Sequence, residues 1–338
     1  MTNGKYRVLD LFSGCGGFSV GFIQAGFEIV VANDIWKPAG ETYQLNHPSV
    51  KFALGDITQN VVKDEIESLF GEGKLRCNVV IGGPPCQAYS LAGLRNPDDP
   101  RGKLFEDYVK LVRRLAPDIF VMENVLGILS MRHNKELVTD LILNRFRDAG
   151  YKVEFRPLDA ADYGVPQHRV RVIFIGTKHD IPILFPDQTH CDGGSFDGVM
   201  RPYVTVKEAI GDIIGRPENH EWNHLFTKHS KEFIDKIKAT PVGKNVTKYS
   251  ESFFRAPPNK PSKTAKGNHG SVFIHYAEDR SMTAREFARL QSFPDDFIFK
   301  GTKHDQFVML GNAVPCGLAR AIAGAVKDML NNIGEQHA

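Results

Sequence analysis

The residue best suited to chemistry in this 338-residue chain is Cys86, set in the stretch Gly82-Gly83-Pro84-Pro85-Cys86-Gln87. A thiolate is an intrinsically strong nucleophile, and a free cysteine is already partly ionised near neutral pH. Pro84 and Pro85 fix φ at successive positions and lack N–H donors, so the turn neither continues the apolar run Cys77 to Ile81 nor starts a helix. The thiol is thereby presented at a strand end instead of packed inside. Three carboxylates follow other strand-like runs: Asp34 after Glu28 to Ala32, Asp56 after Val50 to Leu54, and Glu123 after Asp118 to Met122. Open α/β sheets bring functional groups together at such ends. Two cations, Arg169 and Arg171, alternate where a further run begins, and alternation puts them on one face of a strand.

The elements that must position these groups alternate β and α over roughly the first 180 residues. Arg7 to Phe12 reads as a strand, broken by Ser13-Gly14-Cys15-Gly16-Gly17 and followed by a helix to about Ala25. Glycines let the backbone approach a ligand, and the N–H groups that open a helix are unpaired. A strict G-x-G-x-x-G fingerprint from Gly14 fails, because Ser19 stands at its last position. Asp34 lies where such folds place an acid for ribose hydroxyls. On these residues alone, NAD and S-adenosylmethionine are equally open. Helices are also read over Pro38 to Asn46, from about Asn60, over Leu104 to Leu115 and over Asn134 to Ala149; strands are read over Lys152 to Leu158 and Val170 to Gly176. Asp56 has a second reading as N-cap of the helix from Asn60. Leu94 to Lys103 is too rich in Pro, Asp and Gly to be regular, and reads as a loop directly after the cysteine.

From about His179 proline and glycine rise and the β/α rhythm stops, which places a domain boundary near residues 180 to 187. Between Lys228 and Lys266 ten Lys or Arg face three acids, a local +7 in a chain whose total is only +2. With Tyr249, Phe253, Phe254 and Arg255 interleaved, this segment fits a polyanion-binding surface as well as a solvated lysine-rich face. Thr283-Ala284-Arg285-Glu286 is a capping-box sequence, and an alanine-rich helix is read from about Leu318 to Leu330. Five scattered cysteines without a C-x-x-C pair argue against a disulfide framework and a structural zinc site. No membrane span is visible and the N-terminus lacks signal-peptide features, so the expectation is a cytoplasmic protein with reduced thiols.

Taken together, the motifs resemble those of the DNA (cytosine-5) methyltransferases of bacterial restriction-modification systems. The resemblance rests on Asp10-Leu11-Phe12-Ser13-Gly14-Cys15-Gly16-Gly17, Asn33-Asp34, Gly55-Asp56-Ile57, Gly83-Pro84-Pro85-Cys86-Gln87, Arg101-Gly102-Lys103-Leu104-Phe105, Glu123-Asn124-Val125, Gln167-His168-Arg169-Val170-Arg171, Arg285-Glu286 with Gln291-Ser292-Phe293-Pro294, and Gly311-Asn312-Ala313-Val314-Pro315, all in the family's order. It implies an α/β fold, a Rossmann-like doubly wound sheet, plus a smaller, irregular target-recognition domain. The implied division is 1–183 for cofactor and catalysis, 184–308 for target recognition and hinge, and 309–338 for a C-terminal helix returning to the first domain.

The resemblance implies S-adenosyl-L-methionine as cofactor and duplex DNA with a short specific site as partner. It makes Cys86 the nucleophile that adds to carbon 6 of a flipped-out cytosine, Glu123 the contact to ring nitrogen 3 and the amino edge, Arg169 the contact to the carbonyl oxygen, and Arg171 a support of the site. Phe12 would stack on adenine, Asp34 would bind ribose and Asp56 the adenine amino group, with Gly14, Gly16, Ile57, Pro85, Leu104, Asn312 and Ala313 completing the pocket. Ile35 stands where many relatives carry a large aromatic, implying a looser wall. A monomer is expected, with any cognate endonuclease encoded separately and making no direct contact. A zinc nucleobase deaminase is excluded, because Tyr89 occupies the place of its second cysteine. A tRNA cytosine-5 methyltransferase and a catalytically silent DNA-binding relative are the remaining alternatives.

Overall fold

The computed structural model describes residues 5–70, 74–85, 102–133, 135–247, 253–266 and 273–336. Cys86 and the segment after it to Arg101 lie outside the described residues, as do Lys248 and Tyr249. Seven strands, β1 (Arg7–Leu11), β2 (Glu28–Asp34), β3 (Lys51–Leu54), β4 (Val79–Gly82), β5 (Ile119–Val125), β6 (Lys152–Asp159) and β7 (Val170–Thr177), form one sheet in the order β3-β2-β1-β4-β5-β7-β6. The first five pair in parallel, and β7 runs antiparallel between β5 and β6. The apolar runs that mark β1, β4 and β5 are buried because both faces of the sheet are covered.

One face packs α1 (Gly17–Gln24), α2 (Lys37–Asn46) and α10 (Cys316–Gln336), through Phe18, Phe22, Tyr43, Leu318, Ile322 and Val326. The other packs α3 (Asn60–Glu67), α4 (Gly102–Leu115) and α5 (Val138–Asp148), through Val62, Ile66, Phe105, Tyr108, Ile142 and Phe146. A third core joins α6 (Val206–Ile210), α8 (Ala284–Leu290) and α9 (Lys303–Asn312) to Cys15, Val20 and Ala39 of the first region; α7 (Lys231–Ala239) adds Ile237 to the buried residues. By length and composition the α9–α10 stretch is apolar enough to cross a membrane, yet Leu318, Ile322, Val326, Met329 and Leu330 are buried in the sheet's own core.

Two elements differ from the sequence reading. The fifth helix starts at Val138 and not Asn134, because Arg132–His133 and Glu136–Leu137 pair as a short antiparallel ribbon ahead of it. Strand β5 runs on through Glu123 to Val125, because β7 extends the ladder, pairing Glu123 with Ile173 and Val125 with Arg171. The capping box is present as read: Thr283 Oγ1 accepts from Glu286 N at 3.2 Å and Glu286 Oε2 accepts from Thr283 N at 2.7 Å.

Helices α1 and α10 approach at Gly21, where an added Cβ would lie 2.4 Å from Ala319 Cβ and 2.5 Å from Arg320 N. Overpacking there costs about 1–3 kcal/mol, more than the roughly 1 kcal/mol that alanine gains in helix propensity. Gly21→Ala is therefore expected to lower the midpoint of urea unfolding, and an unchanged or raised midpoint would contradict this packing.

Candidate active site

The strand order reverses between β1 and β4, and ligands of open α/β sheets bind in the crevice at that switch. A cavity of about 940 Å³ opens there, within the size range of small-molecule sites. Its walls come from the carboxyl ends of the central strands: Phe12 and Gly14 after β1, Asp34 to Trp36 from β2, Asp56 and Ile57 after β3, Gly83 to Pro85 after β4, and Glu123 to Val125 from β5. Leu104 of α4 and Asn312, Ala313 and Val314 at the end of α9 close it.

Local sequence explains this shape. Phe12 holds a left-handed backbone, φ 55°, a conformation that costs a residue with a Cβ about 1–2 kcal/mol. The two following residues hold it there: Ser13 N donates to Asn33 O at 2.9 Å and Gly14 N donates to Asp34 Oδ2 at 2.8 Å. Asp34 Oδ1 accepts from Trp36 N at 2.8 Å, so backbone donors orient both carboxylate oxygens, and burial raises its pKa. Asn33 Nδ2 reaches Ala53 O at 2.7 Å and Gly55 O at 3.1 Å, fixing the turn that carries Asp56. Asp56 Oδ1 accepts from Thr58 N at 2.9 Å, in a turn ahead of α3 whose N-cap is Gln59, so it is not that helix's N-cap.

At the other end, Arg171 Nε meets Glu123 Oε1 at 2.7 Å, with about an eighth of each side chain exposed. Gly83 makes room for this carboxylate: a Cβ there would come within 3.1 Å of Glu123 Oε2. Asn124 Nδ2 donates to Pro84 O at 3.1 Å and pins the Pro-Pro turn to β5.

The sheet brings together Phe12, Gly14, Asp34, Ile35, Asp56, Ile57, Pro85, Leu104, Glu123, Asn312 and Ala313 around the one cavity. Cys86 follows the described Pro85 but lies outside the described residues. Two expectations are corrected. Arg169 does not present its guanidinium for a base: it is 1% exposed, and Nη1 and Nη2 donate to Ala265 O at 2.7 Å and Gly311 O at 2.8 Å. Burial first, and then neighbouring Arg171, pull its pKa down to about 9. Gly16 does not line the cavity; at φ 100° it opens α1, where a Cβ would meet the Tyr43 ring at 3.0 Å. Phe254 is buried in the third core, and Phe253 packs edge-on against Phe233 with ring centroids 4.8 Å apart.

Sequence reasoning gave no role to Trp36, Asn124, Met131 or Met309. Trp36 lines the cavity and restores an aromatic wall one residue beyond Ile35; its signal was its place two residues after Asp34. Asn124 was visible inside the Glu123-Asn124-Val125 motif, whereas Met131 and Met309 have no sequence signal. Outside the cavity, His275, Glu278 and Glu286 offer ligand atoms within 4.8 Å of one another, but the Arg280 guanidinium already bonds both carboxylates and fills the place of a cation.

The family model for C-5 cytosine-specific DNA methylases matches residues 6–328. The chain belongs to that family. Among relatives of this methylase, the Type II methyltransferase M.DdeI of Desulfomicrobium norvegicum is 37% identical, over 97% of this chain and 90% of its own length. M1.HphI of Haemophilus parahaemolyticus, also named a Type II methyltransferase, is 39% identical over 96% and 87%. A solved structure from E. coli, described as a prophage-encoded DNA modification methyltransferase, superposes with a TM-score of 0.78 at 28% identity, covering 97% of this chain and all of the other.

The two arginines of this methylase separate by experiment. Arg169→Met leaves two buried carbonyls without donors, at a cost of about 2–5 kcal/mol. Arg171→Met costs less, because the Glu123 carboxylate it releases lines the cavity and keeps about an eighth of its side chain exposed. Urea unfolding of both variants checks the order, and a larger loss for Arg171→Met would contradict it.

Proposed function

We propose that this C-5 cytosine-specific methylase modifies one cytosine in a short duplex DNA site, and that it is the modification enzyme of a Type II restriction-modification system. The Glu123–Arg171 pair, whose carboxylate lines the strand-end cavity beside the turn that leads to Cys86, carries this reading. Relatives 37% and 39% identical, both named Type II methyltransferases, favour DNA over tRNA as substrate. We read residues 1–183 as the catalytic domain, 184–308 as target recognition and hinge, and 309–338 as the returning helix. The enzyme works in the cytoplasm as a monomer, with its endonuclease a separate, non-contacting protein.

The residues present fit S-adenosylmethionine. Phe12, Trp36 and Leu104 offer apolar surface for a purine, and Asp34 and Asp56 offer acceptors for hydroxyl and amino groups. When bound, this cofactor supplies an electrophilic methyl group on a cationic sulfur. The chain's own residues make cytosine able to accept it. The Cys86 thiolate would add to carbon 6, and electron density would move towards nitrogen 3, where Glu123 contacts the nitrogen 3 and amino edge of the base. Carbon 5, thereby made enamine-like, would accept the methyl group that the cofactor supplies; loss of the carbon 5 proton would then expel the Cys86 thiolate and restore the aromatic ring. Arg171 keeps the Glu123 carboxyl in place and sets positive charge where negative charge builds on the base. Unstacking the target costs about a few kcal/mol, which contacts with the duplex must offset. Exposed Lys228, Lys231, Lys238, Lys244, Lys260 and Lys266 are suited to phosphates and give salt-dependent affinity.

Two measurements test this function. Incubation with radiolabelled S-adenosylmethionine is expected to label duplex DNA; label found only in tRNA would reject the DNA assignment. Duplexes carrying 5-fluorocytosine at the target are expected to trap a covalent adduct with the wild type and none with Cys86→Ala. An adduct with that variant would move the nucleophile elsewhere.

A further inference from the structure

His168 stands between Gln167 and Arg169 and has no part in the mechanism above. Its main chain is tied to the end of the basic segment: N donates to Ser262 O at 2.9 Å, and O accepts from Thr264 Oγ1 at 2.7 Å. In the other direction it lies three residues from Arg171 of the cavity pair, a span of at most about 11 Å of chain. The ring is fixed at one nitrogen and open at the other. Nδ1 lies 2.8 Å from Asp159 Oδ2, and a carboxylate oxygen only accepts, so Nδ1 carries the proton. Asp159 Oδ1 accepts in turn from Arg169 N at 2.8 Å and Ala161 N at 3.3 Å, which holds the carboxylate in place. Nε2 bonds no described residue, and 46% of the side chain is exposed.

We propose that His168, as an imidazolium, binds a backbone phosphate beside the target cytosine through Nε2, an assignment that rests on the duplex-DNA reading above. A duplex that delivers a base to Glu123 and lays its backbone on the basic segment crosses the seam between them, and His168 lies on that seam. Asp159 behind the ring favours the imidazolium, and a phosphate in front accepts its second N–H in a charge-assisted bond. Lysines offer phosphates a point charge on a flexible four-carbon stem. This donor is held by its own main chain and by Asp159, so it fixes where the strand lies relative to the cavity.

Charge on the ring ties binding to pH. The acids facing it are Asp159 from β6 and Asp162 from the turn Ala160–Tyr163. Tyr203 packs edge-on against the ring with centroids 5.3 Å apart and donates to Asp162 Oδ1 at 2.8 Å. Burial first, and then that bond, push Tyr203 up to about 12, so it stays neutral. Burial also raises the pKa of Asp162, opposed by the Tyr203 bond and by the charge of His168. The basic segment presents main chain and the Thr264 hydroxyl here, while the Lys263 ammonium lies 3.8 Å over the Phe254 ring and the Arg169 guanidinium is turned to Ala265 and Gly311. Because the protonated ring is the form that receives the phosphate, affinity for the duplex falls as pH rises, by up to about tenfold between roughly pH 6 and 8.

Fluorescence anisotropy with S-adenosylhomocysteine present tests this without turnover, on a duplex whose methylated cytosine has been located by bisulfite sequencing. Phosphates of the target strand are replaced one at a time by neutral methylphosphonates. One replacement beside the target is expected to weaken the wild type about tenfold and His168→Asn hardly at all, since that variant keeps a donor for Asp159 and lacks Nε2. His168→Lys is expected to regain the sensitivity to that replacement and to lose the fall in affinity with pH. Each comparison is between duplexes on one variant, so a change in the folded fraction cancels. If every replacement weakens wild type and His168→Asn alike, the assignment is overturned, as it is if His168→Asn keeps the wild-type pH profile. If no cytosine of duplex DNA becomes methylated, the DNA reading falls and this inference with it.

Discussion

The ion pair between Arg171 and Glu123 sets the geometry of the cavity end of this sheet. It joins the strand that carries the acid to a strand that arrives from the opposite direction, and the antiparallel ladder places Arg171 opposite Val125, two residues beyond Glu123. A purely parallel sheet would end β5 near Met122, leaving the carboxylate on a loop. With β7 beside it, Glu123 is held by backbone pairing on one side and a guanidinium on the other. Catalytic groups need placement to a fraction of an ångström, and a strand supplies that better than a loop. Gly83 and Asn124 then bring the Pro-Pro turn against the same strand, so the segment leading to Cys86 takes its position from β5 as well.

The second region is joined to this frame by polar side chains reaching main-chain atoms. Gln167 Oε1 accepts from Ala265 N at 3.0 Å and its Nε2 donates to Leu290 O at 3.3 Å, while Arg169 adds its bonds to Ala265 and Gly311. All are buried, where such bonds are strong and their loss is costly. The end of the basic segment at Ala265 and the end of α9 at the cavity are thus held by one arginine.

Much of this was legible in the sequence. Apolar runs ending in Asp34, Asp56 and Glu123 gave the strands and the end at which they cluster, because parallel strands buried on both faces carry continuous apolar runs. The glycine turn after Phe12 was equally plain. What escaped depends on long-range partners. Nothing near Arg169 tells that carbonyls of Ala265 and Gly311 will surround it, and its neighbour Arg171 has the same local setting with a different fate. Gly16 reads like a ligand-contacting glycine, but a tyrosine from α2 decides its use. Trp36 stands one residue beyond the position where an aromatic is expected, and only the fold brings it to the cavity wall.

The cavity draws its last wall from Met309, Asn312, Ala313 and Val314, and the close approach of Gly17 to Val314 O, where a Cβ would sit 2.4 Å away, seals it against α1. Phe12 and Asp34 leave the ribosome long before these. During synthesis the pocket therefore lacks a side until this segment has emerged. A nascent chain whose sheet has already formed still has an open cavity, and a ribosome that stalls before this segment releases a product in that state. The late segment works as a completeness check: the closed cavity arrives only with the end of α9.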